Sequence, residues 1–415
     1  MASLQPVRGT HDILPEQERR HRCVEETARD VAGRYGFEEI SLPIFEFTDV
    51  FARSIGETSD IVSKEMYTFT DRGDESITLR PEGTAGVARA FISNGLAQHL
   101  PLKYFYRGPM FRYERPQKGR QRQFNQIGVE LLGVAQPQAD IDVIVLGAHF
   151  LEALGITEHV TLQLNTLGDP ESRAAYRDTL VEYLRDFEND LSDDSQVRLE
   201  RNPLRILDSK DKGDQKIVQG APTIFDSLNE ASKDFFATVR QGLDALKIAY
   251  TVNPHLVRGL DYYGHTAFEF TTEALGAQGA LVAGGRYDGL IKQMGGPDTP
   301  GIGWAAGVER LAMMIAEPED VSKPVAVIPV GDGQKEQAQV IAHQLRHAGF
   351  TVELGYSGNM KKRLNRANKL NACAVVILGE DELAKGVVTI RDMSSGEQNE
   401  CAIDGLIDAV AKYRP

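Results

Sequence analysis

Three clusters of arginine, aromatic and glycine residues have the most specific chemistry in this sequence. They contain Arg112, Arg120 and Phe124; Arg258, Tyr262 and Tyr263; and Gly301, Gly303, Gly307 and Arg310. A planar guanidinium makes two parallel hydrogen bonds to a phosphate, and glycines let a ligand approach the backbone closely. The sequence has no G-x-x-x-x-G-K-[ST] phosphate loop and no G-x-S-x-G nucleophile elbow. Any bound nucleotide phosphate would therefore have to be held by these arginines.

Metal, disulfide and dinucleotide sites are not indicated. The three cysteines, Cys23, Cys373 and Cys401, are scattered and form no C-x-x-C pair. This usage predicts a reducing, cytoplasmic compartment without a disulfide framework or a zinc site. The G-x-G-x-x-x-G run at residues 301–307 has the wrong spacing for a dinucleotide-binding loop. We therefore expect no tightly bound metal and no nicotinamide cofactor.

Length and charge narrow the class of protein further. With 415 residues, 41% of them hydrophobic, the chain predicts two or three globular domains with sizeable cores. It has no apolar run near the roughly 18 residues that cross a bilayer, and no N-terminal secretion signal. The net charge of −14 disfavours a nucleic-acid partner unless the positive charge is concentrated locally.

Two stretches concentrate positive charge in this way. Residues 103–122 carry seven basic residues and one acid, and residues 361–369 carry five basic residues and no acid. Aromatic residues interleave the first stretch, a pattern that favours nucleic-acid contact over a merely solvated surface. For the second stretch, both a solvated helix face and a phosphate-binding surface remain open.

A predicted β-hairpin would position two of the arginines. Alternating residues predict strands over 104–107 and 124–132, and a loop containing Pro and Gly connects them. Arg112 and Arg120 then lie on the two arms of the hairpin and can point toward one face of a sheet. The arrangement is antiparallel, unlike a doubly wound sheet.

Two domains are predicted around this hairpin. Residues 1–320 form an α+β domain with a mixed, mainly antiparallel sheet. Residues 170–240 are acidic and helical in pattern, and we interpret them as a helical subdomain inserted into it. Residues 324–415 alternate strands with helices of 10–15 residues, which predicts a separate α/β domain.

Several further elements are predicted within the first domain. Helices are expected over residues 16–36, 86–98 and 305–315, and a glycine-rich turn over residues 284–289. The first of these helices would end at Gly36, where a left-handed cap fits.

Six segments match motifs of a known family. They are R-G-T-H-D at 8–12, L-R-P-E-G-T at 79–84, F-R-Y-E with R-P-Q-K-G-R at 111–120, L-V-R-G-L-D-Y-Y at 256–263, A-G-G-R-Y-D at 283–288, and G-I-G-W-A-A-G-V-E-R at 301–310. The hairpin and the last segment resemble motifs two and three of class II aminoacyl-tRNA synthetases. The segments at 256–263 and 283–288 resemble those of the histidyl-tRNA synthetase family. The resemblance covers nearly the whole chain and implies the class II catalytic fold, with an anticodon-binding α/β domain at 324–415.

The resemblance implies an enzyme that activates L-histidine with ATP and transfers it to the 3′-terminal adenosine of tRNA(His). The residues that would bind histidine are Glu82, Thr84, Gln126, Glu130, Tyr262, Tyr263 and Tyr287. The first three would hold the α-ammonium group, a cation for which a carboxylate is the natural partner. Glu130 and the tyrosines would bind the imidazole, whose two nitrogens need one acceptor and one adaptable partner. An ordinary structural salt bridge is the alternative role for Glu82 and Glu130.

The residues that the resemblance assigns to ATP are Arg112, Arg120, Phe124, Arg258 and Arg310. Arg112 and Arg258 would be catalytic, neutralising charge on the phosphoryl oxygens while the histidine carboxylate attacks the α-phosphorus. Arg258 would stand where other members of the class rely on a metal ion. Mg²⁺ would accompany ATP and the leaving pyrophosphate.

Contacts to tRNA and to a second subunit are implied as well. Arg115, Gln117 and Lys118 would approach the acceptor end of the tRNA. A homodimer would form through the N-terminal helix and the strand region at Leu42 and Pro43. A cytoplasmic enzyme without membrane contact is expected.

Two other functions remain as alternatives. Regulatory paralogues that assist an ATP phosphoribosyltransferase in histidine biosynthesis share the fold, but they usually lack the C-terminal domain and the ATP-clamping arginines. This chain retains Arg112, Arg258 and Arg310. A synthetase for another amino acid, such as proline, is opposed by the segment at 256–263.

Overall fold

The computed structural model describes residues 4–55, 61–116, 119–257, 262–276, 279–318 and 323–414. The chain divides into two compact units, Met1–Glu317 and Pro318–Pro415. Within the described ranges, no helix is both long enough and apolar enough to cross a membrane.

The first unit is built on a large sheet with helices on its surface. Its helices are α1 Pro15–Arg34, α2 Thr48–Ile55, α3 Thr84–Ser93, α4 Pro137–Ala153, α5 Pro170–Arg185, α6 Asp193–Arg201, α7 Lys212–Val218, α8 Glu230–Ala245, α9 Leu290–Gln293 and α10 Val308–Ala312. Its strands are β1 Glu38–Glu39, β2 Phe45–Phe47, β3 Tyr67–Thr70, β4 Ser76–Leu79, β5 Leu102–Phe111, β6 Gln123–Leu132, β7 Thr161–Thr166, β8 Thr251–Val252, β9 Gly264–Thr271, β10 Ala280–Arg286 and β11 Gly301–Gly307.

The topology of the sheet confirms the predicted fold class. Among the described residues, eight strands pair in the order β1-β5-β6-β11-β10-β9-β7-β8. The central pairs from β5 to β7 are antiparallel, and the two edge pairs, β1 with β5 and β7 with β8, are parallel. The strands β5 and β6 form the predicted hairpin, pairing from Leu102 opposite Leu132 to Phe111 opposite Gln123. Strands β2, β4 and β3 form a separate small sheet.

Helix α1 covers one face of this sheet, as its pattern predicts. Val24, Ala28 and Val31 are buried against the main hydrophobic core. The helix ends at Arg34, two residues before Gly36, whose φ of +79° is the left-handed conformation that glycine adopts without steric cost. Helix α3 is shorter than expected: it spans Thr84–Ser93, and a 3₁₀ turn at Leu96–His99 continues the segment.

Two predictions about the glycine-rich segments were wrong. Residues 284–286 belong to strand β10 rather than to a turn, and residues 301–307 form strand β11, so the helix expected over 305–315 begins only at Val308. Strand β11 lies between β6 and β10, and each of its edges is paired. Hydrogen bonds from distant strands therefore outweigh the weak local preference of glycine and alanine.

The segment between β7 and β8 contains the predicted helical insertion, helices α5 to α8. Leu180, Leu184 and Leu199 pack together in a second hydrophobic core that also contains Tyr263 and Tyr287 of the first unit's sheet region. Asp214 is fully buried and accepts hydrogen bonds from the hydroxyls of Ser192 (2.7 Å), Ser195 (2.6 Å) and Ser209 (2.6 Å), which join three segments of the insertion. The insertion is thus packed onto the region that carries the predicted histidine-binding tyrosines.

The second unit is an α/β sandwich. Its strands are β12 Val325–Pro329, β13 Val352–Leu354, β14 Ala374–Leu378, β15 Val387–Asp392 and β16 Gln398–Ala402, and its helices are α11 Lys335–His347, α12 Met360–Lys369, α13 Glu380–Lys385 and α14 Leu406–Ala409. The strands pair in the order β13-β12-β14-β15-β16, with the first three parallel. Apolar residues of α11 and α14 pack on one face of the sheet, and those of α12 pack on the other.

Candidate active site

A cleft of about 230 Å³ opens over the centre of the large sheet. Nine of the predicted site residues line it: Glu82, Thr84, Arg112, Arg120, Phe124, Gln126, Tyr262, Tyr263 and Arg310. They come from the start of α3, the β5–β6 hairpin, the segment before β9 and the start of α10. Residues more than 200 positions apart in the sequence therefore share one cavity.

The carboxylate of Glu82 caps the N-terminus of helix α3. It accepts hydrogen bonds from the backbone N–H groups of Thr84 (2.6 Å) and Ala85 (2.8 Å), which have no partner within the helix. Glu82 is only 4% exposed, and burial raises the pKa of its carboxyl group, while those two N–H groups and the nearby Arg112 oppose the rise. The carboxylate is therefore held in place and faces a cleft in which a bound cation would stabilise its charged form.

Glu130 is buried beneath the residues that line the cleft, and each of its carboxylate oxygens accepts a hydrogen bond from a side chain. The Thr84 hydroxyl donates to Oε1 at 2.6 Å, and the Tyr287 hydroxyl donates to Oε2. Burial raises the pKa of Glu130 to about 8, although both hydrogen bonds lower it. A carboxyl group with this pKa changes its protonation state near neutral pH. It can therefore pair with an imidazole N–H or share a proton with it.

Two glycines of β11 provide the space for this pair of side chains. A Cβ atom at Gly303 would lie 1.9 Å from the Glu130 carboxylate, and one at Gly301 would lie 2.2 Å from the Tyr287 ring. Both distances are far shorter than any van der Waals contact. The glycines of this motif thus form a cradle for Glu130 and Tyr287 rather than a phosphate-binding loop.

An ion-pair network around the fully buried Arg286, which the sequence analysis missed, fixes the backbone on both sides of Tyr287. Arg286 is 0% exposed and donates to both oxygens of Asp140 and to Asp288 (3.0 Å). Asp288 also accepts from the Gly301 backbone N–H at 3.2 Å, and Tyr287 N–H donates to the Gly301 carbonyl at 2.8 Å. Since Tyr287 lies between the two charged residues, the network determines where its hydroxyl meets Glu130.

Gln126, Tyr262 and Tyr263 complete the polar wall of the cleft, and the buried Tyr106 contacts Gln126. The Tyr106 hydroxyl donates to the Gln126 side chain at 3.4 Å, and its ring fills the space above Gly83 and Gly128. The rings of Tyr262 and Tyr263 are in contact, with centroids 4.7 Å apart. Burial raises the pKa of the Tyr106 and Tyr262 hydroxyls well above the ordinary value, so both stay protonated.

The opposite wall carries guanidinium groups. Arg112 donates from Nε to the Pro81 carbonyl at 2.9 Å, and its guanidinium carbon lies 5.4 Å from the Phe124 ring centroid. Arg120 donates to Glu114 at 3.0 Å, and the same carboxylate is 3.9 Å from Arg112. One glutamate is thus shared by two arginines, and the three side chains together keep a net positive charge.

Arg310 joins the hairpin loop to the sheet. Its guanidinium donates to the carbonyls of Gly119 (3.3 Å) and Ala280 (2.7 Å). Burial lowers the pKa of Arg310, and the positive charge of Arg120 lowers it further. Two like charges that face one cleft favour binding of an anion between them.

Glu309 is a further site residue that the sequence analysis did not assign. It lines the cleft, and its Oε1 accepts from the backbone N–H (2.7 Å) and the side-chain amide (3.3 Å) of Asn125. Burial raises its pKa to about 7. Its position before Arg310 in the motif is the signal that could have found it.

The remaining predicted residues are Arg115, Gln117, Lys118 and Arg258. Arg115 is exposed on the hairpin loop and does not line the cavity. Gln117, Lys118 and Arg258 lie outside the described residues. Among the described residues, no group of three His, Cys, Asp or Glu side chains is arranged to hold a metal ion.

Comparison with known proteins agrees with this geometry. Residues 9–311 match the model of the family described as histidyl-tRNA synthetase. The chain belongs to the histidyl-tRNA synthetase family. Residues 324–413 match a second model, described as an anticodon binding domain. The predicted family is thus confirmed.

Individual members of the histidyl-tRNA synthetase family resemble the chain over its full length. It is 62% identical to the histidine–tRNA ligase of Rhodospirillum rubrum over 414 residues, which cover 100% of both chains. It is 56% identical to the histidine–tRNA ligase of Gluconacetobacter diazotrophicus, covering 99% of each. The structure of apo S. aureus histidyl-tRNA synthetase matches with a TM-score of 0.82 and 36% identity, covering 98% of this chain and 99% of that one.

Proposed function

We propose that this protein is an ATP-dependent histidine–tRNA ligase that forms histidyl-adenylate and transfers histidine to tRNA(His). One observation carries the proposal: a single cleft joins a wall of carboxylate and phenol groups to a wall of three guanidinium groups. The first wall suits an amino acid with a cationic ammonium and a polar ring, and the second suits a triphosphate. The full-length similarity to histidine–tRNA ligases supports the same activity.

In the proposed binding mode, the α-ammonium of histidine lies against Glu82, with Thr84 and Gln126 beside it. The imidazole ring is recognised by Glu130, with Tyr262, Tyr263 and Tyr287 around it. A site of hydrogen-bonding groups rejects analogues that lack the matching polar atoms by roughly 10⁴–10⁵, because the groups of the protein would be left unpaired. This discrimination removes the need for an editing step.

Adenylate formation would use no nucleophile from the protein. A carboxylate oxygen of histidine attacks the α-phosphorus of ATP, and the bond to the β-phosphoryl oxygen breaks to release pyrophosphate. Arg112, with Arg258 as a second catalytic residue, would stabilise the charge that develops on the α-phosphoryl oxygens. Arg120 and Arg310 would hold the other phosphates, and Phe124 would contact the adenine.

Mg²⁺ would enter with ATP as part of the substrate and supply further neutralisation of phosphate charge. The carboxylate of Glu309 lines the cleft and is a hard oxygen ligand of the kind that Mg²⁺ accepts directly or through water. Glu114 is already positioned between two arginines, so it is the group that a bound nucleotide would rearrange.

Transfer and assembly complete the proposal. The terminal ribose hydroxyl of tRNA attacks the carbonyl carbon of the adenylate, and AMP leaves. Arg115, Gln117 and Lys118 would contact the acceptor end. They belong to a catalytic domain at residues 1–320, and an anticodon-binding domain follows in the sequence at residues 324–415. The exposed loop position of Arg115 supports this role.

A cytoplasmic homodimer is part of the proposal, with α1 and the region of Leu42 and Pro43 at its interface. The exposed apolar side chains of Ile44, Phe45 and Phe47 next to that region support an interface there. Sedimentation should show a dimer, and Phe45→Glu with Phe47→Glu should shift it toward monomer.

The deciding experiment is ATP–pyrophosphate exchange with the purified protein. Exchange that depends on histidine is expected, and histidine should be attached to tRNA(His) when the tRNA is added. No exchange with histidine would overturn the proposal, as would exchange driven by another amino acid. The regulatory alternative, which predicts no exchange, is not favoured by the curated relatives.

A further inference from the structure

The motif at residues 79–84 contains a buried arginine to which the proposed reaction gives no role. Arg80 is 5% exposed and lies two residues before Glu82, in the segment that joins strand β4 to helix α3. Burial lowers the pKa of its guanidinium, and the nearby Tyr106 and Glu46 oppose this effect. A buried cation is costly unless its donors are satisfied, so the partners of Arg80 indicate its purpose.

The donors of Arg80 reach backbone carbonyls in two other segments. Its Nε donates to Pro109 of strand β5 at 2.8 Å, and its Nη1 donates to Leu42 at 2.9 Å and to Pro43 at 3.3 Å. The backbone N–H of Arg80 also donates to the Ile44 carbonyl at 2.9 Å. Because these acceptors belong to the main chain, the guanidinium fixes the course of the backbone and joins β5 to the segment that precedes β2.

A glycine in β5 leaves room for the guanidinium. Gly108 has a φ of +143°, a conformation that residues with a side chain rarely adopt, and a Cβ atom there would overlap Nη2 of Arg80. The missing side chain lets the guanidinium lie directly against the main chain of the strand. The sequence of β5 is therefore matched to the arginine at position 80.

The residues next to this contact lead into the cleft. The Phe111 backbone N–H donates to the Arg80 carbonyl at 2.9 Å, and Nε of Arg112 donates to the Pro81 carbonyl at 2.9 Å. With the bond from Arg80 to Pro109, these hydrogen bonds join two consecutive residues to the end of the hairpin strand. One of them holds the guanidinium of Arg112, so the position of that group depends on where residues 80 and 81 lie.

We propose that Arg80 is a positioning residue for adenylate formation, which holds the guanidinium of Arg112 where it meets the α-phosphoryl group. Arg80 does not line the cleft and acts through the main chain of Pro81. The inference rests on the proposed function and adds a residue outside the cleft to the groups on which the rate depends.

Glu82 follows in the same segment but is held separately. Its carboxylate accepts hydrogen bonds from the backbone N–H groups of Thr84 and Ala85 at the start of α3. Loss of the Arg80 side chain should therefore displace Arg112 more than Glu82. The rate of adenylate formation should fall, whereas histidine binding should change little.

The first test is Arg80→Met in the full-length protein, assayed by histidine-dependent ATP–pyrophosphate exchange. We expect kcat to fall roughly 10- to 100-fold, because a displacement of about 1 Å at a catalytic group has an effect of this size. The KM for histidine should stay within about twofold of the wild type. An unchanged kcat would overturn the inference.

Arg89→Met is the matched control for this substitution. Arg89 pairs with the buried Glu46 and lies outside the cleft, so its loss should lower stability in chemical denaturation without lowering kcat. Equal losses of kcat in the two variants would show that general destabilisation causes the effect, and the positioning role would be refuted.

A double-mutant cycle tests whether Arg80 acts through Arg112. When Arg80→Met is added to Arg112→Ala, kcat should change by less than about twofold, because the group that Arg80 positions is already absent. Two independent effects that multiply would assign a merely structural role to Arg80 and contradict the inference.

Arg80→Lys separates the two sets of hydrogen bonds. Lysine keeps the positive charge and can reach the carbonyls of Leu42 and Pro43, but it has no Nε donor for Pro109. We expect stability close to that of the wild type and a kcat as low as that of Arg80→Met. If the methionine variant does not fold, the lysine variant carries the test alone.

A lysine variant with the kcat of the wild type would overturn the role of the bond to Pro109. A wild-type protein that shows no exchange with histidine would instead refute the proposed function, so the two failures are distinguishable.

Discussion

The two walls of the cleft hold their charged groups in different ways. On the proposed histidine side, Glu82 and Glu130 are 4% and 1% exposed, and their hydrogen bonds come from groups buried with them. On the proposed phosphate side, the Arg112 and Arg120 side chains are 22% and 32% exposed and share Glu114. The first wall is fixed by the core, whereas the second is held by contacts that a ligand can replace.

This difference matches the role that we propose for each wall. Recognition of a small amino acid needs polar groups that are buried and already oriented, because a wrong ligand then leaves them unpaired at a cost of about 1–3 kcal/mol each. Phosphate binding must be reversible, since pyrophosphate leaves in every cycle. Arginines that exchange a protein carboxylate for a phosphate suit this purpose. The following experiments test the contrast.

The largest effect is expected for the ion-pair network behind the rigid wall. Arg286→Met leaves Asp140 buried without its partner, and breaking such a pair costs about 3–5 kcal/mol of unfolding free energy. Chemical denaturation should therefore show a large loss of stability. Arg53→Met, which removes the exposed pair with Asp49, should leave the midpoint unchanged. Equal, small effects of both substitutions would contradict a rigid histidine wall.

A smaller effect, on catalytic rate and not on stability, is expected for a substitution in the guanidinium wall. Arg112→Ala should lower the kcat of exchange by about 10²–10³, because a donor to the developing charge is lost. The KM for histidine should change little. Arg115→Ala is the matched control, since Arg115 is exposed outside the cleft, and exchange should proceed normally. A parallel rise in the histidine KM for Arg112→Ala would mean that the walls are not separate.

The pKa of Glu130 predicts that the use of histidine as a substrate depends on pH. Because this pKa is about 8, the free protein at pH 7 carries mostly the protonated form, and ionisation increases the acceptor strength toward imidazole. We expect kcat/KM for histidine to rise about fivefold between pH 7 and 8, and Glu130→Gln to flatten the profile. A wild-type profile that is already flat would place the Glu130 pKa elsewhere.

The same shift affects stability with a definite sign. The folded chain retains the Glu130 proton up to about pH 8, whereas the unfolded chain releases it near the ordinary value of 4.5. The folded state therefore binds more protons between these values, and this group's contribution to folding decreases as pH rises through the window. In the Glu130→Gln variant, the free energy of unfolding should fall less between pH 5 and pH 8 than in the wild type. Chemical denaturation at the two pH values measures this difference.

The smallest effect is expected at Glu114. Glu114→Gln removes the carboxylate that competes with phosphate for Arg112 and Arg120. We expect the KM for ATP to fall roughly two- to threefold, consistent with the small net energy of a partly exposed ion pair. Glu26→Gln, which affects only the surface pair with Arg29, should have no effect. A raised KM for ATP would show that Glu114 serves the nucleotide through a metal ion instead.

The sequence predicted which residues lie in the cleft better than it predicted the contacts that hold them in place. The resemblance to the family implied that arginines, acids and tyrosines from distant motifs share one site, and Arg112 and Arg310 do share the cleft. The partnership of Arg286 with Asp140 had no such signal, because the two residues are 146 positions apart and pair only through the fold. The role of Arg258 stays a prediction.

The errors have a common physical origin. Residues 301–307 contain glycine and alanine, whose local preferences do not distinguish a strand from the start of a helix. The strand forms because both of its edges are paired, at Gly303 with Glu130 on one side and with Gly285 on the other. Long-range pairing of this kind is invisible in a short window of sequence.

The close contact between Gly301 and the Tyr287 ring has a consequence for redesign of the proposed amino-acid pocket. A methyl group at position 301 would overlap the ring of Tyr287, so a larger residue at one of the two positions requires a smaller one at the other. An engineer who wants to charge tRNA with a bulkier imidazole analogue should therefore shorten Tyr287 and keep the glycine. A larger residue at position 301 would occupy the space that the shortened Tyr287 side chain had opened.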